Sequence, residues 1–416
     1  MTQRRAAAAP LPRAVWVLSW VSFFADVSGE MVYPLLPLFL VGVLGSTKTE
    51  LGLIEGSAVL IVALMSAVAG FRSDRLGRRV PWIRWGYGLP VAGKAVIALA
   101  TGWPLVLGGR LCDRFGKGLR GAPRDALISD AVPADSRGRA FGLHRAFDTA
   151  GALAGVLLSA LLLWRLTGTP TTDAVGAAQA PEWAYRAVFA VGAALGLASL
   201  ALTFFVRESD ATAGAAATVR ESAAGGTPLP RSYWSVLALL VLFSLANSSD
   251  AFLLLRVRDL GWSPWAVVLA YALFNVTYAA LSYPAGVLSD RLGRWGVIGT
   301  GWAIYAAVYA GFAFLPASLA WGAWPLMAAY GVYMALTDGV GKALLADHAP
   351  RERRGAAMGL FHAATGVTTL GASLLAGELW DHVGAAAALG AGAAFAVLAL
   401  AALPFAIRRC APPPPR

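Results

Sequence analysis

The stretch GFRSDRLGRR, residues 70–79, sets five charges of both signs between two apolar runs, and GVLSDRLGRW, residues 286–295, nearly repeats it. Asp74 and Asp290 stand 216 residues apart, about half of the 416-residue chain. A second pair of segments recurs at almost the same offset. DAVPADSRGRAFG (130–142) and DHAPRERRGAAMG (347–359) align Asp130 with Asp347, Pro133 with Pro350 and Gly142 with Gly359, each 217 residues apart. Two separate loops repeating at one offset indicate internal duplication.

The sequence around these loops is apolar. The chain is 58% hydrophobic and only 14% charged, which departs in both respects from soluble domains. Runs of about 20 apolar residues, each able to cross a hydrocarbon layer as a helix that satisfies its own backbone, recur from Ala14 to Ile407. Twelve are expected, at 14–43, 51–71, 82–101, 103–122, 139–165, 184–206, 232–256, 264–288, 296–316, 319–346, 355–379 and 384–407. A buried soluble bundle with about half as many helices competes with this reading, and the absence of charge from Val383 to Ile407 argues against it. Between the sixth and seventh runs, RESDATAGAAATVRESAAGGTPLPR (207–231) is small, polar and Gly/Pro-containing, the composition of a flexible linker. The expected fold is all-α and membrane-embedded, with twelve helices in two pseudo-symmetric six-helix bundles: 1–206, a linker at 207–231, and 232–416.

A net charge of +11 invites a nucleic-acid reading, but its placement decides otherwise. Arg4, Arg5 and Arg13 precede the first run. Arg72, Arg75, Arg78 and Arg79 follow the second, Arg137 and Arg139 the fourth, and Arg207 and Arg220 the sixth. Arg291 and Arg294 follow the eighth, Arg351, Arg353 and Arg354 the tenth, and Arg408 and Arg409 the twelfth. The opposite loops hold Lys48, Arg258 and little else. This bias follows the positive-inside rule and places both termini in the cytoplasm, with the chain in the inner or plasma membrane and no nucleic-acid partner. The arginines before the first run imitate a signal peptide, but the run is too long and lacks a convincing cleavage site, so a retained first helix is expected. Cys112 and Cys410 both fall toward the cytoplasmic side, where a disulfide is not expected. The sequence has no metal-ligand spacing, no phosphate-binding G-x-x-x-x-G-K-[ST] loop and no hydrolase triad. Neither an enzyme nor a cofactor is expected.

The opening stretch also resembles the loop between the second and third helices of the major facilitator superfamily, roughly G-x-L-a-D-r-x-G-r-r. Gly70, Asp74, Arg75, Gly77, Arg78 and Arg79 match; Arg72 stands where leucine is usual, and Leu288 restores it in the second copy, beside Gly286, Asp290, Arg291, Gly293 and Arg294. The resemblance covers essentially the whole chain. It implies a secondary transporter that works by alternating access, and it says almost nothing of the substrate. In physical terms the glycines allow a tight turn and close helix approach, and the charges can latch two halves that rock; a basic turn that only sets topology is the simpler alternative.

Charges inside the apolar runs are costly and therefore candidates for function. Asp26 and Glu30 share one face of the first helix, with Pro34 and Pro37 able to bend its outer part. Two carboxylates that repel in a poorly solvated place suit proton exchange; the resemblance adds that proton-coupled exporters often keep an acid here. Arg110 and Asp113 lie in the fourth run; the resemblance implies an arginine at Arg110 that tunes a nearby acid, and Arg114, Lys117, Arg120 and Arg124 step toward the cytoplasm, part of that series by snorkelling. The fifth run places His144, Arg145 and Asp148 within reach of one another, beside a close-packing face of Gly151 and Gly155. It lacks the proline of the exporters' G-P-x-x-G motif. Asn247, Ser248, Ser249 and Asp250 are expected within helix seven, and Asp338 and Lys342 as an i,i+4 pair in helix ten. Lys94 requires an acidic partner that the sequence does not identify. Trp85, Tyr87, Tyr271 and Tyr305 are expected in interface belts or packing rather than as a cage.

The expected function is proton-coupled export of a small organic solute by antiport, the partners being substrate, protons and lipid, and the chain a monomer. Import of a small organic anion or metabolite by symport is the alternative within the class, which Lys94, Arg110 and Lys342 would suit. A non-transporting receptor or scaffold is the alternative outside it.

Overall fold

The computed structural model describes residues 11–76, 78–133, 136–168, 180–208, 228–350 and 353–410, without the side chains of Asp74 and Arg354. Gly77 of the opening motif, Arg4, Arg5, Arg220, Arg351 and most of the linker lie outside the described residues. The rest is helical. The helices are α1 (Arg13–Val32), α2 (Lys48–Leu76), α3 (Val80–Ala98), α4 (Trp103–Asp130), α5 (Arg137–Thr167), α6 (Glu182–Thr203), α7 (Arg231–Ser244), α8 (Ala251–Asp259), α9 (Pro264–Leu292), α10 (Arg294–Phe314), α11 (Ala323–Asp347), α12 (Arg354–His382) and α13 (Ala385–Cys410).

Every apolar run read from the sequence falls on a helix. Among the described residues nine helices are long and apolar enough to cross a membrane. Those that fall short have visible reasons: α3 carries Arg84 and Lys94, α4 a row of charges from Arg110 to Asp125, and α7 has only 14 residues. The expected continuous seventh helix is corrected here. It breaks between Ser244 and Ala251, so Asn247 to Asp250 lie on the break and not within a helix. Asn, Ser and Asp compete for backbone hydrogen bonds and favour caps over helix interiors. In α1 the prolines act as expected: after Val32 the chain continues as a tight 3-10 turn over Tyr33–Leu35 and a wide π turn over Phe39–Val43.

Packing within α1–α6 is close at α1. Gly151 and Gly155 of α5 would place a Cβ at 2.5 Å from the carbonyls of Phe23 and Val27, so the expected small-residue face is in use. Serines join the same helices, Ser28 donating to the Gly192 carbonyl (2.6 Å), Ser159 to Met31 (3.0 Å) and Ser199 to Val21 (2.6 Å). The most extensive contacts of this set with α7–α13 are α2 on α12 and α5 on α9, and the extension of α1 beyond Val32 also packs on α8 and α9.

The α2–α12 contact is tapered. A Cβ on Gly52 would lie 2.2 Å from the Ser373 carbonyl oxygen, one on Gly56 2.7 Å from the Leu370 Cα, and one on Gly377 2.5 Å from the Lys48 carbonyl oxygen. At Gly366, further along, the nearest approach relaxes to 3.3 Å from the Leu60 Cα. Asp381 closes the tight end by capping the start of α2: its carboxylate accepts from Lys48 N (3.1 Å), Thr49 N (2.8 Å) and Thr49 Oγ1 (2.9 Å), with Lys48 Nζ at 3.8 Å.

This taper generates a test. Gly52→Ala forces α2 and α12 apart against backbone, so it should destabilise the protein by about 1–3 kcal/mol, the usual cost of overpacking. Gly371→Ala, on the partner helix α12 with open space around the added Cβ, should leave stability unchanged or raise it slightly. Thermal unfolding of the two purified variants checks the difference; equal midpoints would mean that the contact is not close in the membrane.

Candidate functional site

Where α2 and α12 diverge, a cavity of about 580 Å³ opens between the two sets of helices. Its walls include Glu30 and Tyr33 from α1 and its extension, Glu55 from α2, Arg110, Arg114 and Lys117 from α4, Asn247–Asp250 from the α7–α8 break, Tyr271 from α9, and His362 and Thr365 from α12. A smaller polar recess beside it is lined by Asp26, Glu30, Lys94, Asp113, Arg114, Lys117 and Arg120. Glu30, Arg114 and Lys117 line both.

The buried charges are mostly paired. Glu55 and Arg110 form a two-pronged pair, Arg110 Nε on Oε1 and Nη2 on Oε2, both at 2.8 Å, with each residue under 5% exposed. Such a fork is the strongest geometry available to a carboxylate. Lys94 finds its acid in Asp113 at 2.9 Å, and Arg114 (3.2 Å) and Arg110 (3.7 Å) also approach Asp113. Gly93 and Gly109 let α3 and α4 touch backbone to backbone at this level. Asp26 lies 3.9 Å from Arg120, whose guanidinium covers the Tyr87 ring at 4.2 Å.

Two cavity carboxylates stand apart from this pattern. Glu30 accepts from the Tyr271 hydroxyl at 3.1 Å, across the two helix sets, and Asp250 accepts from Tyr330 at 2.6 Å. Among the described residues neither has a basic group within ion-pair distance. Lys117, exposed to the cavity, likewise has none.

The sequence candidates therefore divide. Glu30, Arg110, Asn247 and Asp250 meet in the cavity, and Asp26 and Asp113 lie in the adjoining recess. His144 and Asp148 approach at 3.6 Å, buried on α5 outside the cavity lining, and Arg145 is exposed. Asp338 and Lys342 form the expected pair at 2.7 Å, with the Tyr278 hydroxyl 2.9 Å from the same carboxylate, also outside the lining. In the charged motifs, Arg79 pairs with Asp130, and Glu208 caps α3 by accepting from Arg79 N and Val80 N at 2.8 Å. Arg294 pairs with Asp347 at 2.7 Å and approaches Asp290 at 3.9 Å. These recorded partners join loops within one helix set. Gly293 adopts φ +90°, the backbone that only glycine takes readily, and a Cβ added at Gly70 would lie 3.3 Å from the Ala122 Cβ. Arg72, Arg75, Arg78 and Arg291 are exposed, and Gly286 meets nothing within 4 Å.

Glu55, His362 and Asp381 escaped the sequence reading. Glu55 was open to the rule used for the other buried charges, since it falls four residues inside the second apolar run. Tyr271 was expected only to pack, yet it holds Glu30. Cys112 and Cys410 are unpaired, and among the described residues no group of three His, Cys, Asp or Glu is placed to hold a metal.

Comparison with known proteins agrees with this architecture. The chain is 32% identical over 376 residues to an uncharacterized MFS-type transporter of Methanocaldococcus jannaschii, covering 89% of both chains. It is 28% identical to the multidrug resistance protein MdtH of Klebsiella pneumoniae over 63% of this chain and 60% of that one. Among solved structures, the nucleoside transporter NupG superposes with a TM-score of 0.73 at 13% identity over 95% of this chain and all of that one. A bacterial homologue of the lysosomal transporter Spinster, inward-facing and unoccupied, gives 0.71 at 19% identity over 95% and 96%. The family model for the Major Facilitator Superfamily matches residues 18–337 and 236–416, and the chain belongs to that superfamily of membrane transporters.

Proposed function

We propose that this chain is a proton-coupled secondary transporter that carries a small organic solute with an anionic group by alternating access, solute and protons moving in the same direction. The observation that carries the reading is the central cavity, walled by charged groups of both helix sets and sealed at one end by the α2–α12 glycine contact. A solute held between two bodies can be exposed on either side when they rock. Twelve membrane helices in two six-helix halves, joined by the 207–231 linker, form the two bodies. They sit as a monomer in the inner membrane with both termini cytoplasmic.

Each role follows from what a group lacks. Lys117 faces the cavity without an acidic partner, with Arg114 one turn away and His362 on the opposite wall; these receive the anionic group. Glu30 bridges cavity and recess and is held only by a phenol, so it can take and release a proton without breaking an ion pair. Asp26 is the second site on the same helix. Glu55–Arg110 and Lys94–Asp113 are static pairs that fix α2, α3 and α4. A solved neighbour described as a D-xylose–proton symporter, with a TM-score of 0.69 at 18% identity, lends support to symport. Similarity to MdtH, described as a multidrug resistance protein, favours the second reading, proton-driven export of the same class of solute.

Three outcomes test this. In proteoliposomes screened with labelled organic anions, an inward proton gradient should drive uptake, and Glu30→Gln should abolish gradient-driven uptake while leaving solute exchange at equal pH. Gradient-driven uptake unchanged in that variant removes Glu30 as carrier, and outward flux against the gradient selects export. Lys117→Gln should raise KM about ten-fold, the scale of one lost hydrogen bond to a charged group, with little change in maximal rate. Glu55→Gln should destabilise the fold by about 3–5 kcal/mol by leaving Arg110 buried and uncompensated. Glu55→Gln/Arg110→Gln should recover much of that loss, which a double-mutant cycle on unfolding midpoints reads directly.

A further inference from the structure

The break between α7 and α8 lies deep in the apolar layer. Fourteen residues of α7 at ~1.5 Å each put it roughly 21 Å from Arg231. Irregular backbone at such a depth is tolerated where it faces a cavity, and the unwound carbonyls there are suited to holding cations. Asn247, Ser248, Ser249 and Asp250 all line the central cavity.

Hydrogen-bond accounting leaves oxygens over at this break. Ser249 N donates to Ser373 Oγ (3.2 Å), Ala251 N to Ser249 Oγ (3.3 Å), and Phe252 N to the Ser249 carbonyl (3.1 Å). The carbonyls of Leu245, Asn247 and Ser248 thereby lose the amides that a continuous helix would give them. Asn247 Oδ1 is buried with no hydrogen-bond partner. The Tyr309 hydroxyl, on a side chain with no exposure, lies beside Ser248, Tyr305 and Tyr330 and closes the far wall of this space. Asp250 stands at the N-cap of α8 but does not cap it; its one recorded bond is from Tyr330. The partially negative end of α7 and the partially positive end of α8 meet here and largely offset, so the net charge of the break is that of Asp250.

These features share one requirement, a positively charged species that accepts oxygen ligands. A single carboxylate among neutral oxygens balances one charge. Ser248 and Ser249 are more than nine-tenths buried, too enclosed for an organic ammonium. The geometry points to an alkali-metal ion site at the α7–α8 break, sodium in first place, held by Asp250, Asn247 Oδ1 and the oxygens of Ser248 and Ser249. The site is independent of the proton step assigned to Glu30 and gives the cavity a second ion beside it.

The test uses the purified full-length chain in lipid nanodiscs at constant ionic strength. Thermal unfolding is measured in sodium, potassium, lithium and choline chloride, and equilibrium binding with radiolabelled sodium. Sodium should raise the unfolding midpoint by several degrees over choline, saturably, as a ligand of the folded state must. Asp250→Asn should lose that shift, and the native chain should bind about one sodium per molecule. A preference for potassium or lithium with the same loss supports the site with a different ion. No shift with any alkali ion, a shift retained in Asp250→Asn, or no saturable sodium binding to the native chain overturns it; the last of these does not depend on the variant folding. Proton-driven uptake in sodium-free choline medium, measured separately, keeps this outcome distinct from that of the transport reading.

Discussion

A charge placed inside the apolar layer must meet an opposite charge or a full set of hydrogen bonds, and this constraint orders the interior of the protein. Helix α4 is the extreme case. From Arg110 to Asp125 it carries seven charged residues, and it can be buried only because α1, α2 and α3 bring Asp26, Glu55 and Lys94 to meet them. These pairs set the rotation of each helix against its neighbours. They also define by exclusion which groups are available for work: Glu30, Lys117 and Asp250 are the cavity charges that the pairing scheme leaves over.

The second constraint is steric. Backbone contact at Gly52 and Gly377, and the close approach of Leu370 at Gly56, let α2 and α12 meet tightly, and Asp381 turns the start of α2 into a cap site supplied by the opposite helix set. Few apolar side chains lie in the tightest part of this contact, Leu370 at Gly56 being one, so little apolar surface is uncovered there when it parts. The contact is therefore suited to an interface that opens and closes, whereas the ion pairs around α4 join helices of one body and can persist through the motion.

Much of the fold was legible because its signals are local. Apolar runs report on the chain segment that carries them, and among the described residues each falls on helix, the seventh with a break in it. Gly151, Gly155 and Gly293 could be read from spacing for the same reason. The break in α7 was missed because apolarity averages over LANSSD, although its residue types favour a cap over a helix. Pairings across the fold were hidden for a deeper reason. Lys94 and Asp113 are close in sequence but on different helices, and Arg110 and Glu55 are 55 residues apart. Which acid meets which base depends on helix rotation, and no single run encodes that.

The loops repeated in the sequence make a similar contact in each helix set, while the interiors of the two sets differ. Asp130 and Asp347, equivalent in the repeat, both take an arginine from the preceding charged loop, although Arg79 and Arg294 differ by one register position. That much serves the fold. The interiors have diverged: α1–α4 are joined by salt bridges, while around Asp250 the walls are phenols, with Tyr305 and Tyr309 stacked at 4.1 Å and Tyr330 on the carboxylate. Within the ionic interior Glu30 can exchange a proton while the paired carboxylates of Glu55 and Asp113 stay neutralised. A phenolic interior with one acid and spare oxygens holds a charge that must arrive from outside. The two sets of helices thus present unlike faces to one cavity, which gathers groups that neither set could offer alone.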